Sequence, residues 1–312
     1  SNIKYFFLKK NLNLGSVVIA NMDVSSIFNF YQKRELIGDG YLFFLFQKKL
    51  AINLSKSITY IVPFENMIRE KALIFGVSKY LSNSKVIGYF HTTKPQNILC
   101  LEYANVEESL IAPIPEMVIF NSYKLREIYK NKYNNLKTEN GLAYKQIYLS
   151  KGVKIAKNNN VLVIFSGLDS EIKLMLSMLN STTSNKHYLF RMHPMNFFDI
   201  KKSYFGNNFE LVNNLTLDES LGKVSKVIST YSSVALESAL KGFFVGLVYN
   251  KKRLLINPFD NSEVTNYQLI SDEIELKDYL ESDSNIDSNF NFFNLDHSFN
   301  NKIDDILNYH KN

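Results

Sequence analysis

"NVLVIFSGLDSEIKLMLSMLN" occupies residues 160–180, and its reading decides the fold. A short apolar, β-branched run stops at Ser166-Gly167 and gives way to a segment with helical spacing. The alternation continues down the chain. "HYLFRM" (187–192) and "FELV" (209–212) read as strands, and "TLDESLGKV" (216–224) as a helix starting near Thr216 or Asp218. "KVIST" (226–230) reads as a strand, "SVALESALKG" (233–242) as a helix ending at Gly242, and "FFVGLVY" (243–249) as a strand. Short buried strands alternating with helices predict a parallel, doubly wound α/β sheet.

The first half of the chain has the same character in weaker form. "SVVIAN" (16–21), "ITYIVP" (58–63), "KVIGYFH" (85–91) and "EMVIFN" (116–121) read as strands, and "NMIREKALIFGVSKYL" (66–81) and "SYKLREIYKNKY" (122–133) as the helices between them. A Lys/Asn-rich bridge near 150–160 joins the halves. The expected architecture is two Rossmann-like domains facing a cleft, with parallel sheets. The boundaries are 1–155 for an acceptor-side domain, 156–265 for a nucleotide-sugar donor domain, and 266–312 for an extension packing back on the body. Within that extension 283–301 reads as an irregular surface loop and 302–309 as a short helix. Ser1 and Asn2 read as an expression remnant, and the chain as a piece of a longer protein with its first domain shortened.

Composition narrows the function classes. A hydrophobic fraction of 46% in 312 residues excludes disorder and suffices for two cores. No run of eighteen apolar residues and no signal peptide is visible. One cysteine, Cys100, excludes a disulfide framework and fits a reducing, cytoplasmic setting. The balance of 36 basic against 30 acidic residues gives +6, too modest and dispersed to argue for nucleic acid. It is compatible with an anionic substrate and with peripheral contact at the inner membrane. GxxxxGK, GxGxxG and GxSxG motifs are absent, which argues against nucleotide hydrolases, dinucleotide oxidoreductases and serine hydrolases. With no Asp-x-Asp pair or Cys/His cluster, neither a metal site nor a cofactor is expected.

Ligands of doubly wound sheets bind beyond the carboxyl ends of the strands. The polar residues standing there are therefore the candidates: Asn21 and Asp23, Glu65 and Asn66, His91 with Thr92 and Thr93, Asn121 with Ser122, Ser166 with Gly167, His193 with Pro194, and Tyr231 with Ser232 and Ser233. The two serines precede a helix whose free N–H groups and dipole favour an anion, although Ser is also a common N-cap. A capping box would need Glu or Gln three residues after the cap, and those positions hold Ala235 or Leu236. Glu237 is therefore not explained by capping, and lies where it could accept from paired ribose hydroxyls. His193, held extended by Pro194, could donate to a departing phosphate oxygen. Glu65 and His91, on neighbouring strand ends, could deprotonate an acceptor hydroxyl or stabilise a cationic transition state; equally, Glu65 and Glu70 could serve the start of a helix. Asp39, in "GDG" (38–40), is a further candidate base or part of a turn.

"RMHP" (191–194) followed by "TYSSVALESALKG" (230–242) resembles the donor domain of bacterial GT-B glycosyltransferases using cytidine-activated sugars, the sialyltransferases, polysialyltransferases and β-Kdo transferases of capsule and lipopolysaccharide synthesis. The pair is also similar to CDP-glycerol glycerophosphotransferases. "VPFENMIREKAL" (62–73), "KVIGYFHTT" (85–93), "PIPEMVIFNSYKLREIY" (113–129) and "NGLAYKQIYL" (140–149) resemble successive blocks of bacterial surface-carbohydrate biosynthesis proteins. The likeness implies a metal-independent transfer of sialic acid or Kdo from a CMP-sugar to a glycan or lipid-linked glycan. His193, Ser232 and Ser233 would hold the phosphate, Glu237 the ribose, and Glu65 would act as base or nucleophile with His91 nearby. Where sialyltransferases carry an acidic pair before Gly, this chain has Asp39-Gly40. Glycerophosphotransfer and a non-catalytic sugar-binding module are the alternatives.

Overall fold

The computed structural model describes residues 18–19, 22–23, 36–53, 56–98, 102, 112–133, 135–182, 185–194, 196, 198, 200, 208–282 and 292–296; at 18–19, 22–23, 36–39 and 53 it describes the backbone only. Cys100 and the helix expected at 302–309 lie outside these residues. The segment read as one strand at 16–21 contributes Val18–Ile19 (β1), which pairs antiparallel with Met22–Asp23 (β2). The strand-end candidate Asn21 lies outside the described residues, and Asp23 belongs to β2 itself.

The first parallel sheet has the order β3 (Thr59–Pro63), β4 (Lys85–Phe90), β5 (Met117–Phe120), β6 (Thr138–Asn140). The central β5 is buried at every position, as a parallel strand covered on both faces must be. β3 is the edge strand and keeps Ile61 exposed, so the strand preceding Glu65 is half-covered rather than buried. Helix α1 (Leu36–Asn53) packs on α2 (Ile68–Tyr80), and α3 (Tyr123–Lys132) links β5 to β6.

The second parallel sheet has the order β12 (Tyr267–Ile270), β11 (Val245–Val248), β10 (Lys226–Ser229), β7 (Asn160–Ile164), β8 (His187–Arg191), β9 (Phe209–Leu211). Its helices are α4 (Asp169–Ser181), α5 (Leu217–Leu221), α6 (Ser233–Leu240) and α7 (Glu273–Glu281). The unit expected to end at residue 265 therefore continues through β12 and α7. Gly242, with φ 91, ends the α6 turn in the left-handed region that favours glycine.

A 3-10 helix, Tyr144–Ser150, begins the bridge between the sheets. One apolar cluster contains Phe64, Val118 and Phe120 from the first unit, Leu162, Val227 and Leu236 from the second, and Phe292 and Phe293 from the C-terminal stretch. Full burial of side chains this size stabilises by about 1.5–3 kcal/mol each. The two units thus share one interior. Among the described residues no helix is long and apolar enough to cross a membrane.

Candidate functional site

At the carboxyl edge of the second sheet, Ser229, Ile164 and Arg191 are in register across β10, β7 and β8. β7 lies between β8 and β10, so the chain's winding reverses there and leaves a crevice. Two residues further on, Tyr231, Ser166 and His193 stand level. Ser166 is buried, and its Oγ accepts from the Leu168 N–H at 3.2 Å. A Cβ at Gly167 would lie 3.5 Å from His193 Nδ1, so the imidazole sits directly against this turn. Asn196 fastens the His-Pro loop in place: its Nδ2 donates to Gly167 O at 3.2 Å and to Asp169 Oδ1 at 2.9 Å. Its N–H donates to His193 O at 2.9 Å. His193 and Pro194 are exposed. His193 and Pro194 are thus tied to the Gly167 turn by Asn196 and open to solvent.

Ser232 is the N-cap of α6, extended at φ −159, ψ 141, and its Oγ accepts from the Val234 N–H at 3.2 Å. Capping uses the oxygen as acceptor and leaves the hydroxyl proton for a second partner. Ser233 is the first helical residue. The helix opens beside Tyr231, level with Ser166 and His193, so its positive end lies at the crevice.

Glu237 is buried at 3% exposure, a turn inside α6. Its carboxylate accepts a short hydrogen bond from the Tyr148 hydroxyl and a second from Gln146 Nε2 at 3.5 Å. Burial, then the charge and hydrogen bond of Glu237, push the Tyr148 pKa far up, so Tyr148 stays a neutral donor. Lys241, one turn on, pairs with Asp218 at 3.0 Å. Its ammonium also donates to Tyr148 O at 3.2 Å and to Lys151 O at 2.8 Å. Above these groups opens a cavity of about 510 Å³ lined by Tyr148, Arg191, Thr216, Asp218, Val234 and Glu237. That volume falls in the range of small-molecule sites.

The first sheet presents a second set. Pro63 pairs with Tyr89 and Phe90 with Phe120, so Glu65, His91 and Asn121 stand level just past their strands. Glu70, not Glu65, serves the start of α2. Its Oε2 accepts from the Glu65 N–H at 2.8 Å and the Met67 N–H at 2.9 Å, and burial pushes its pKa up. Asn66 between them adopts φ 64, a left-handed turn that Asn tolerates. His91 Nδ1 and Asn121 Oδ1 are buried without a hydrogen-bond partner among the described residues. The Tyr89 ring stacks on His91 with centroids 6.5 Å apart. Asp39 lies inside α1, so "GDG" is helix and not a turn; the Asp39 side chain is outside the described residues. Gly40 is where α1 meets α2, since a Cβ there would come within 2.9 Å of Ile68 Cγ2.

The predicted residues therefore fall into two strand-end groups: Ser166, Gly167, His193, Pro194, Tyr231, Ser232 and Ser233, with Glu237 in the adjoining cavity, and Glu65 with His91 on the first sheet. Sequence reasoning missed Tyr148, Arg191, Asp218 and Lys241. Arg191 heads the "RMHP" stretch, which was its only signal; Tyr148 lies in the bridge, where no periodicity marks an inward side.

No family model and no curated protein matches the sequence. Solved structures do. The MnaA–UDP co-structure from S. aureus superposes with a TM-score of 0.54 at 8% identity, covering 87% of this chain and 79% of that one. The UDP-GlcNAc 2-epimerase from Neisseria meningitidis bound to UDP-GlcNAc gives 0.49 at 8% identity, covering 94% and 84%. HepE from Anabaena in complex with UDP and glucose gives 0.45 at 14% identity, covering 77% and 76%. The chain has the glycosyltransferase-like GT-B fold, two parallel α/β sheets.

Proposed function

We propose that the chain transfers a glycosyl group from a CMP-activated sugar to a bacterial surface glycan. The observation that carries this reading is the crevice edge, where Tyr231, Ser166 and His193 stand level beside the α6 N-terminus, with buried Glu237 in the adjoining cavity. An anion at the edge and a diol-bearing ring in the cavity are what a nucleotide supplies. Cytidine as the base, and an acidic sugar on it, rest on the resemblance of "RMHP" and "TYSS" to CMP-sugar enzymes.

In this mechanism the acceptor oxygen attacks the anomeric carbon, the bond from that carbon to the phosphate oxygen breaks, and CMP leaves with the electron pair. The α6 N–H groups, Ser232, Ser233 and His193 stabilise the charge arriving on the phosphate. Glu65, with His91 beside it, takes the proton of the acceptor hydroxyl in an inverting transfer, or attacks first in a retaining one; the anomeric configuration of the product distinguishes these. Protein donors suffice for a leaving group that departs as a stabilised phosphate, so the reaction runs without a metal or cofactor.

Millimolar CMP should raise the melting temperature by several degrees, and Glu237→Gln should abolish most of that rise. Glu65→Gln should lower turnover by at least ~100-fold while leaving the CMP-induced rise intact. A chain that ignores CMP but releases it from CDP-glycerol would be a glycerophosphotransferase, and one that binds CMP without turnover on any donor would be a binding module. Either result overturns the proposal.

A further inference from the structure

We infer that a pocket beyond β11 holds the acid-bearing part of the donor sugar, with Arg253 pairing to its carboxylate and Glu171 accepting from its hydroxyls. The inference rests on the CMP-sugar reading and adds to it the residues that would select an acidic sugar. Ser229 pairs with Leu247, so Tyr249 stands level with Tyr231 and prolongs the edge that carries Ser166 and His193. Along this edge the α6 N-terminus, following β10, lies between two openings. On the β8 side is the large cavity lined by Arg191 and Glu237. On the β11 side is a smaller pocket of about 90 Å³, lined by Ser170 and Glu171 of α4 and by Tyr231, Tyr249 and Arg253. A nucleoside in the first opening and a phosphate at the helix leave the second for the group on the other side of that phosphate.

Two opposite charges line this pocket without pairing to each other. Arg253 is set by a turn: its N–H donates to Asn250 O at 2.9 Å, and Asn250 Oδ1 accepts from the Lys252 N–H at 2.9 Å. Its Nη1 donates to Ser170 Oγ at 2.9 Å, and its other guanidinium N–H groups have no partner among the described residues. Glu171 Oε2 is buried and likewise without a hydrogen-bond partner there. Capping does not occupy it. Leu168 is the N-cap of α4, and its N–H, which a carboxylate three residues on would ordinarily take, goes to Ser166 Oγ instead. A buried acceptor without a donor and a guanidinium with donors to spare suit a molecule that carries both an anion and hydroxyls. A free phosphate would answer Arg253 and set a second negative charge against Glu171. A neutral sugar would answer Glu171 and leave Arg253 unmatched. A hydroxy acid brings its carboxylate and its hydroxyl donors on neighbouring atoms. The pocket has room for several water-sized groups, which fits a carboxylate with adjoining hydroxyls rather than a whole nucleotide.

Calorimetric titration of the full chain with CMP, CMP-N-acetylneuraminate and CMP-Kdo, without acceptor, tests this. At least one of the two CMP-sugars should bind more tightly than CMP. Arg253→Gln should weaken that CMP-sugar by about 10- to 100-fold, as for a lost charge-assisted pair, and the loss should not appear with CMP. Arg253→Lys should recover part of it, because an ammonium keeps the charge and lacks the planar fork. Glu171→Ala should weaken the same CMP-sugar by about 10-fold, again without a change for CMP. Each variant without ligand should keep the melting temperature of the unaltered chain, which separates a lost contact from a disturbed fold. If neither CMP-sugar binds more tightly than CMP, or if the Arg253→Gln effect is absent or equal for CMP and CMP-sugar, the sugar pocket is overturned and the nucleotide site stands. If neither CMP nor a CMP-sugar binds, both are overturned.

Discussion

Tyr148 and Glu237 carry the sharpest consequence at the scale of single residues. The buried carboxylate relies on a hydroxyl from the bridge between the sheets. Tyr148→Phe removes that donor and should cost about 1–3 kcal/mol, read as a lower urea midpoint. The pH dependence follows from the raised Tyr148 pKa. In the unfolded chain the phenol ionises near pH ~10; in the folded one it keeps its proton above that. The stability this supplies is complete below pH ~10 and is lost as pH rises past it. The gap between the unaltered chain and Tyr148→Phe should therefore be constant below pH ~10 and narrow progressively above it. Glu237 was legible in the sequence because no capping register accounts for it. Tyr148 was not, since its partner lies 89 positions away and nothing local requires a tyrosine there.

Elements were easiest to read where burial is two-sided. Runs such as 161–165 and 245–248 carry no polar side chain because parallel strands are covered on both faces, and helices between them repeat at helical spacing. Helix α1 shows the limit. A largely apolar helix without a polar stripe offers no period, and Asp39-Gly40 then imitates a turn. The glycine answers to packing instead, as does Gly88 in β4, where a Cβ would fall 2.7 Å from Phe64 Cβ. That contact is with the stiff root of a fully buried side chain, so Gly88→Ala should destabilise by about 1–3 kcal/mol through overpacking. Thermal unfolding would register it, with the β3–β4 edge that presents Glu65 and His91 disturbed first.

At the scale of the whole molecule, the stretch at 292–296 returns to the first sheet and ties the chain's far end to it. Asn294 Nδ2 donates to Phe120 O at 3.3 Å and Gly141 O at 3.1 Å, and its Oδ1 accepts from the Tyr123 N–H at 3.1 Å. Asn294→Ala strips these buried bonds and should cost about 2–4 kcal/mol, again visible as a lower urea midpoint. Sequence composition hides such a wedge, because an Asn-rich stretch looks alike whether it is solvated or inserted between strand ends. A last consequence concerns α6, whose eight residues span about 12 Å. Its first turn faces the crevice where an anion would sit, and Lys241 at its other end holds the carbonyls of Tyr148 and Lys151 in the bridge. The helix thus couples the anion end of the crevice to the bridge directly, without any intervening loop.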